Sequence, residues 1–313
     1  MLGKQRDLET PEFGQDTTVS STEEAESRSP LPADEVQLQW SPAYPWSKGI
    51  LLDAGLGSFG SVYAGVDSNG SFFTVKEVPL TETDTNSAQL ISQLEQEVEL
   101  LRRFKHEHIV QYLGTEKTDG KLYIFLELVG KESLGSLCKK IKLTNSHVTA
   151  YTRQILEGLK YLHSQDIIHG DVKCANVFVD VQEKCKLALF GLADKIAVLD
   201  ADNYRKGSVN WMAPEVVDPK QYGLSADIWS VGCSVLEMLT GSPPFGDQPL
   251  DRVLWKVGHG EAPPVPGELP DDAKDFIHKC LEVDHSQRPS ATKLLEHPFL
   301  NSAVIPEACP DDS

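Results

Sequence analysis

The densest group of chemistry-bearing side chains lies in one short segment, IIHGDVKCANVFVD, at residues 167–180. Within it, Asp171, Lys173 and Asn176 follow one another at intervals of two and three residues. A carboxylate in the first position can orient an attacking hydroxyl group and accept its proton, and a nearby lysine can neutralise a phosphoryl group in transfer. The amide oxygen of an asparagine can ligate Mg²⁺. The spacing therefore predicts catalysis of phosphoryl transfer.

A second candidate is the glycine-rich stretch GLGSFGSV at residues 55–62. Glycines let backbone N–H groups approach phosphate oxygens without a clash from Cβ. The pattern also occurs in dinucleotide-binding folds, where it opens a helix, but here strand-like segments continue on both sides. We predict a hairpin bend over nucleotide phosphates, with a plain glycine-rich hairpin as the alternative. The predicted nucleotide-binding residues here are Gly55, Leu56, Gly57, Ser58, Phe59, Gly60 and Val62.

A lysine and a glutamate follow this loop at a spacing that suits the same chemistry. Lys76 lies in the next predicted strand, and Glu97 lies in the helix predicted after it. An ordered Lys–Glu pair can hold the α- and β-phosphates of a nucleotide. The alternative is that Lys76 is a solvated strand lysine and Glu97 is one of several exposed glutamates.

The elements that must position these residues change in type along the chain. Residues 46–80 alternate in hydrophobicity and carry β-branched and aromatic residues, which predicts antiparallel strands with a hairpin at Ser68–Gly70. Apolar residues at 90, 91, 94, 98 and 101 have helical spacing, and two further strands follow. The first half of the chain is therefore predicted to be a small, sheet-rich lobe.

After Gly130 the hydrophobic pattern becomes mainly helical. A helix is predicted over residues 146–165, and another is predicted to begin at Ser225 as its N-cap and to stop at Gly241. Residues 1–45 are acidic, rich in serine and threonine and without hydrophobic periodicity, so we predict a disordered tail.

Composition narrows the classes of partner and environment. The 313 residues carry a formal net charge of −18, which argues against nucleic acid and anionic membranes as partners. No apolar run is long enough to span a bilayer. Six cysteines without C-x-x-C spacing favour buried, reduced thiols over a metal site. With no signal sequence evident, the expected location is the cytoplasm, with the nucleus as a second location.

Several motifs together resemble the eukaryotic protein kinases. HGDVKCAN resembles their catalytic loop H-R-D-x-K-x-x-N, WMAPE at 211–215 resembles their A-P-E segment, and SADIWSVGC and RPSATKLLEHPF resemble two of their helices. GSFGSVYAG, LYIFLELV, YTRQILEGLKYLH and KCAN are similar to MEKK-type mitogen-activated protein (MAP) kinase kinase kinases, especially those of plants.

The resemblance implies an α+β, bilobal protein kinase fold over residues 46–300. It would have a small antiparallel N-lobe with one helix, at 46–129, and a larger, mainly helical C-lobe, at 130–300, followed by a tail at 301–313. It also implies serine/threonine specificity, ATP with Mg²⁺ as cofactors, and a MAP kinase kinase or another kinase of that cascade as partner.

The resemblance also assigns roles to residues outside the catalytic loop. Glu127 and Val129 would offer hinge backbone groups to adenine, with Leu126 as the gatekeeper. The hydroxyl of Ser208 would bond to Asp171. Asp227 would anchor the C-lobe, and Arg288 would pair with Glu215.

Four departures from the family pattern bear on activity. Leu189 occupies the place of the metal-binding Asp in D-F-G, and leucine has no oxygen to offer Mg²⁺, so Asn176 is left as a poor metal site. Gly170 replaces an arginine that usually pairs with a phosphorylated loop. Thr74 and Phe178 replace smaller residues at the roof and floor of the adenine pocket.

Together these departures predict a pseudokinase or a very weak kinase that binds ATP weakly, holds Mg²⁺ poorly and acts by binding partners. The alternative is an active ATP-dependent serine/threonine kinase that phosphorylates a MAP kinase kinase. A nucleotide-binding role outside the kinases is the third hypothesis.

Overall fold

The computed structural model describes residues 45–53, 61–79, 101–130, 132–188, 208–217 and 223–301. Four segments lie wholly or mostly outside these ranges. They are the two predicted tails, the glycine-rich loop and the segment around Leu189. The described residues form a sheet-rich region followed by a mainly helical one, as the sequence predicts.

The described part of the first region is a five-stranded antiparallel sheet in the order β1–β2–β3–β5–β4. Its strands are β1 (Trp46–Asp53), β2 (Ser61–Asp67), β3 (Phe72–Pro79), β4 (Tyr112–Thr118) and β5 (Lys121–Glu127). Of the helix predicted between β3 and β4, only residues 101–103 are described, and they are helical.

The predicted hairpin at Ser68–Gly70 is confirmed between β2 and β3. Oδ1 of Asp67 accepts hydrogen bonds from the backbone N–H of Asn69 at 2.9 Å and of Ser71 at 2.8 Å. Gly70 has a φ of +82°, which glycine adopts without steric strain. The side chain and the glycine together fix the turn and therefore the register of the two strands.

The two faces of this sheet have different surroundings. On one face the ring of Trp46 lies 5.3 Å from that of Phe125 and 6.1 Å from that of Phe73, in edge-to-face contacts. On the other face Lys76 lies opposite Ile124, which belongs to the main core. Because side chains alternate along a strand, the aromatic packing on the outer face holds Lys76 on the inner one.

The second region is built from helices and a three-stranded sheet in the order β6–β7–β8. The described helices are α1 (Leu134–Lys140), α2 (Asn145–His163), α3 (Ser225–Thr240), α4 (Leu250–Gly258), α5 (Asp271–Cys280), α6 (Ala291–Leu294) and α7 (Pro298–Asn301). The strands are β6 (Glu132–Ser133), β7 (Val177–Val179) and β8 (Cys185–Leu187). Short 3₁₀ turns cover Cys174–Asn176, Val209–Trp211 and Pro214–Val217.

The predicted N-cap of helix α3 is wrong, whereas its end at Gly241 is confirmed. Ser225 is the first helical residue, and no side chain caps the helix. The N–H groups of the first turn instead bond to backbone carbonyls, Ala226 to Gly223 at 3.1 Å and Asp227 to Leu224 at 3.2 Å. Because these carbonyls already satisfy the donors, a capping side chain is not needed. Gly241 ends the helix in a left-handed conformation with φ +70°.

Backbone hydrogen bonds connect the two regions beside the predicted catalytic loop. The N–H of Val110 donates to the carbonyl of Leu187 at 2.9 Å, and the N–H of Leu187 donates to the carbonyl of His108 at 2.9 Å. Strand β8 is therefore fixed to the chain that enters β4.

The described cysteines are buried, free thiols, as the sequence predicts; they are Cys138, Cys174, Cys185, Cys233 and Cys280. Cys309 lies outside the described ranges. Among the helices that the structure describes, none is long and apolar enough to cross a membrane.

Candidate active site

The predicted catalytic loop is held in place by one buried carboxylate on helix α3. Oδ2 of Asp227 accepts a hydrogen bond from the backbone N–H of His169 at 2.8 Å, and Oδ1 accepts one from that of Gly170 at 2.7 Å. Nε2 of His163, at the end of α2, lies 2.9 Å from Oδ2. Burial alone would raise the pKa of Asp227, but the bonds from His163 and Gly170 and the nearby histidines outweigh it and lower that pKa. Asp227 is therefore an ionised anchor for the loop.

The loop backbone adopts an unusual conformation at the anchored residues. Gly170 has a φ of +77°, a region that costs a residue with a Cβ about 1 kcal/mol or more. His169 is buried; its Nδ1 accepts the N–H of Asp171 at 3.2 Å, and its Nε2 lies 3.2 Å from the carbonyl of Ala188. A neutral imidazole with its proton on Nε2 satisfies both contacts. The glycine in place of the expected arginine suits this strained turn.

The predicted catalytic residues Asp171, Lys173 and Asn176 come together in one hydrogen-bonded cluster with Ser208. Oγ of Ser208 donates to Oδ1 of Asp171 at 2.6 Å and accepts from Nζ of Lys173 at 2.7 Å. Nζ of Lys173 also lies 3.0 Å from Oδ2 of Asp171. Nδ2 of Asn176 donates to that same Oδ2 at 2.7 Å and to the backbone carbonyl of Asp171 at 2.8 Å.

This cluster keeps Asp171 in its ionised form. Burial, the largest influence, would raise the pKa of its carboxyl, but the charge of Lys173 and the hydrogen bonds from Ser208, Lys173 and Asn176 outweigh it, so that the pKa is lowered. An ionised carboxylate can accept the proton of an attacking hydroxyl, and Lys173 beside it supplies positive charge. The arrangement is competent for the acid–base part of phosphoryl transfer.

Asn176 connects this cluster to the segment that contains Leu189. Its backbone carbonyl accepts the N–H of Ala188 at 2.9 Å. Its Nδ2 is used by Asp171, so Oδ1 is the amide atom that a cation would take. Leu189 itself and the rest of its segment to 207 lie outside the described residues. Within the described ranges no group of three or more histidine, cysteine or acidic side chains could hold a metal ion.

Lys76 is deeply buried on β3, with only 2% of its surface exposed. Strand pairing places it between Val62 on β2 and Ile124 on β5. A lysine at such a depth requires interaction with polar or charged groups, which excludes the solvated alternative. Its predicted partner, Glu97, lies outside the described residues, so that pairing stays a prediction.

Comparison with known proteins decides the family. A family model for the protein kinase domain matches residues 51–300. The chain belongs to the protein kinase family. The bilobal α+β fold is thus confirmed as that of a kinase domain, and the match lies within the predicted domain of residues 46–300.

Among curated relatives, the kinase domain is similar to MAP kinase kinase kinases of plants. It is 54% identical over 256 residues to "Mitogen-activated protein kinase kinase kinase 1a" of Physcomitrium patens, a match that covers 82% of this chain and 34% of the relative. It is 49% identical over 271 residues to "Mitogen-activated protein kinase kinase kinase 1" of Arabidopsis thaliana, covering 83% and 44%. The chain spans about a third of the length of its moss relatives. The MEKK-type resemblance predicted from the motifs is confirmed.

The predicted hinge of the kinase domain begins at Glu127, the last residue of β5. The N–H of Glu127 donates to the carbonyl of Gln111 at 2.9 Å, so this N–H is not the group that a nucleotide would meet. The carboxylate of Glu127 accepts the N–H of Gln111 at 2.6 Å and lies 2.7 and 2.8 Å from Nζ of Lys186 on β8. The hinge is thereby tied to the strand that leads to Leu189. Val129, the second predicted hinge residue, packs partly buried against the main core.

Thr74 and Phe178 lie in the strands where the kinase resemblance places the roof and floor of the adenine pocket. Thr74 is buried on β3, opposite Ala64 on one side and the predicted gatekeeper Leu126 on the other. Phe178 is half-buried on β7 and packs against the main core. Neither position offers a charged group, and their narrowing of the adenine pocket stays a prediction.

The predicted pair of Glu215 with Arg288 forms a buried bidentate salt bridge. Nη1 lies 2.6 Å from Oε1 and Nη2 lies 3.1 Å from Oε2. Nη1 also donates to the carbonyl of Ser225 at 2.7 Å, and Nε donates to that of Glu282 at 3.0 Å. The guanidinium lies 5.3 Å from the ring of Trp229. This network fixes the A-P-E segment to the start of α3.

Sequence reasoning missed Glu237, which also holds the catalytic loop. This residue is buried on α3, and its Oε2 accepts the indole N–H of Trp211 at 3.0 Å and the backbone N–H of Cys174 at 3.4 Å. Burial is the largest influence and raises the pKa of Glu237. The available signal was an acidic residue in the otherwise apolar helix SVLEML.

Residues 54–60, which contain the predicted phosphate-binding residues Gly55 to Gly60, lie outside the described ranges. Val62, the last of that set, is half-buried on β2 directly opposite Lys76. The roles of the predicted site residues in nucleotide binding remain predictions.

Proposed function

We propose that this chain is a MAP kinase kinase kinase-type kinase domain that acts mainly by binding partners, as a pseudokinase or a very weak kinase. The observation that carries the proposal is Leu189, which stands where the family has its metal-binding aspartate. Mg²⁺ requires hard oxygen ligands, and a leucine offers none.

The described donors do not compensate for this loss. Both carboxylate oxygens of Asp171 are used by Ser208, Lys173 and Asn176. In the described part of the site, the family pattern then leaves one oxygen for a metal, which is Oδ1 of Asn176. A single amide oxygen is a poor site for Mg²⁺, so the residues present do not fit the usual metal arrangement. We therefore propose that ATP binds weakly and with little help from Mg²⁺.

The second candidate function is an active serine/threonine kinase that phosphorylates a MAP kinase kinase. The cluster of Asp171, Lys173 and Ser208 favours it, because it holds an ionised carboxylate in place, 2.6 Å from a hydroxyl and 3.0 Å from an ammonium group, as the family's catalytic loop requires. The buried Lys76 favours it too. These residues would support turnover if a metal could be held by other ligands.

The proposed partners follow from the relatives. Because their names describe MAP kinase kinase kinases, we propose that the domain binds a MAP kinase kinase or another kinase of that cascade. The proposed location is the cytoplasm, with the nucleus as a second location.

Thermal melting with nucleotide separates the two functions. A ligand that binds only the folded protein raises the melting temperature, by an amount that grows with the ratio of its concentration to its dissociation constant. We expect ATP to give a small rise that Mg²⁺ does not increase, and we expect Leu189→Asp to gain a Mg²⁺-dependent rise. A large Mg²⁺-dependent rise in the unmodified chain would favour the active kinase instead.

A further inference from the structure

Helix α4 presents a tryptophan to solvent. Among the tryptophans that the structure describes, Trp255 is the exposed one, with 57% of its surface accessible. Tryptophan is enriched at protein interfaces and among the residues that contribute most to binding, because its ring covers a large apolar area at a low cost in conformational entropy. The exposure of Trp255 therefore indicates a contact surface.

Trp255 forms one continuous surface with His259, Gly260 and Val283, which we call the α4 surface. The rings of Trp255 and His259 are stacked with their centroids 4.0 Å apart, and Nδ1 of His259 lies 2.7 Å from the carbonyl oxygen of Trp255. A Cβ placed on Gly260 would lie 3.2 Å from Cγ1 of Val283, whose surface is 45% exposed. These contacts hold the indole in place before any partner binds.

The border of the α4 surface is acidic. Four exposed acidic side chains surround it, namely Asp251, Glu261, Glu282 and Asp284. The same helix carries two basic side chains, Arg252 and Lys256, and Lys256 already lies 3.7 Å from Glu261. A cation over the face of an indole ring is attracted to it as well. The ring and its border therefore both favour a positively charged ligand.

Charge also decides between the possible occupants of the α4 surface. A second copy of the chain would bring a further net charge of −18, and residues 302–313 carry three acidic side chains and no lysine or arginine. Like charge opposes the approach of both. A basic segment is attracted by the acidic border and by the net charge of the whole chain.

We propose that the α4 surface binds a basic segment of another protein, in which lysine or arginine side chains accompany apolar ones. An apolar side chain of that segment covers Val283, a cationic one stacks on the free face of Trp255, and the remaining cations face the acidic border. The proposal concerns this surface alone and does not depend on whether the domain binds nucleotide or transfers phosphate.

The opposite side of α4 supports the active-site cluster. Val253 and Val257 are fully buried there and pack with Val209, the first residue of the 3₁₀ turn that follows Ser208. At 3.6 residues per turn, Trp255 lies about 200° around the helix from Val253. A partner on the α4 surface would thus hold the helix on which the turn beside Ser208 rests.

Nuclear magnetic resonance of the full chain tests the proposal at Trp255 itself. The probe is the synthetic peptide acetyl-KRLKLLRK-amide, and the indole N–H signal of Trp255 is identified by its loss in Trp255→Phe. We expect the peptide to shift this signal and to leave that of the buried Trp229 in place. A peptide with glutamate in place of every lysine and arginine should shift neither, and added salt should weaken the binding of the basic peptide.

Variants measure how much the α4 surface contributes to affinity. By calorimetric titration, Trp255→Ala should bind the basic peptide about tenfold more weakly. Phe72→Ala removes another exposed aromatic ring, on β3, and should bind it as the unmodified chain does. The indole signals of the remaining tryptophans verify that Trp255→Ala is folded. No nucleotide is added, so failure of this test leaves the proposed function untouched.

Several results would overturn the proposal. The basic peptide could leave the Trp255 signal in place, the acidic peptide could shift it equally, or Trp255→Ala could bind as tightly as the unmodified chain. A dimer in sedimentation that Trp255→Ala dissolves would show that a second copy is the occupant. A Trp255 signal that moves in Asp311→Asn with Asp312→Asn would show that residues 302–313 cover the surface.

Discussion

Replacing the loop anchor Asp227 with asparagine should destabilise the kinase domain strongly. The carboxylate accepts hydrogen bonds from the backbone N–H groups of His169 and Gly170 and contacts Nε2 of His163. Asn keeps one acceptor oxygen and puts an NH₂ donor in place of the other. At least one backbone N–H would then face another donor inside the protein.

The expected size of the effect follows from these contacts. A hydrogen bond to a charged group contributes about 1.5–3 kcal/mol, and a buried donor without an acceptor costs about 1–3 kcal/mol. Because these terms overlap, we expect Asp227→Asn to lose about 2–4 kcal/mol. At about 2–4 °C per kcal/mol for a domain of this size, the melting temperature should fall by about 4–16 °C.

The pH dependence gives this prediction a second signature. The pKa of Asp227 is lower in the folded domain than in the unfolded chain. The stabilisation that the Asp227 carboxylate provides is therefore complete above its pKa in the unfolded chain, about 3.9. It is lost as the pH falls through the pKa of this carboxyl in the folded domain. The difference in melting temperature between the unmodified chain and Asp227→Asn should be full at pH 7 and should shrink below about pH 4.

Differential scanning fluorimetry across this pH range is the assay, with Asp271→Asn as the matched control. Asp271 leaves 99% of its side chain exposed and pairs with Lys274 at the surface, so its replacement should change the melting temperature little. If Asp227→Asn melts no lower than Asp271→Asn at pH 7, the anchoring role is refuted.

Three further changes have definite expected outcomes. Glu215→Gln should leave the buried guanidinium of Arg288 without its counter-charge and lower the free energy of unfolding by about 3–5 kcal/mol, measured by melting; a loss too small to measure would contradict this. Ser208→Ala should raise the pKa of the Asp171 carboxyl, measured by NMR titration, and an unchanged or lower pKa would show that the hydroxyl is not its donor. Gly65→Ala would place a Cβ in a steric clash with the ring of Phe73 and should destabilise the domain by about 1–3 kcal/mol, whereas full stability in urea unfolding would disprove the tight fit.

The sequence predicts the site best where the residues of the site are close together in the chain. Asp171, Lys173 and Asn176 are within six residues of each other, and a single 3₁₀ turn after Lys173 brings the last of them back to the first. The pair of Glu215 with Arg288 is long-range but was predictable because the kinase resemblance supplies both partners. For Asp227 the resemblance supplies an anchoring role, whereas its contacts with the catalytic loop come from the structure. The strands and the hairpin followed from alternation and turn chemistry.

Long-range contacts without a motif could not be predicted. No motif in the sequence marks Lys186 and Glu127 as a pair. The pairing of β7 with β8 and the turn at the hinge bring these two side chains together. The contacts of Glu237 depend in the same way on how α3 packs on the loop. Ser225 is a favourable capping residue, but backbone carbonyls accept the hydrogen bonds of the N–H groups in the first turn, so the serine does not act as the cap.

The central claim, that Leu189 deprives the site of its metal, is tested most directly by phosphate transfer from Mg²⁺·ATP to a MAP kinase kinase. The rate is compared between the unmodified chain, Leu189→Asp, and Leu189→Ala, which removes bulk without adding an oxygen. Metal ligation supplies several kcal/mol, and about 4 kcal/mol corresponds to roughly a thousandfold in rate. We predict that Leu189→Asp is faster by about that factor and that Leu189→Ala is not. An unmodified chain that already matches Leu189→Asp would contradict the claim.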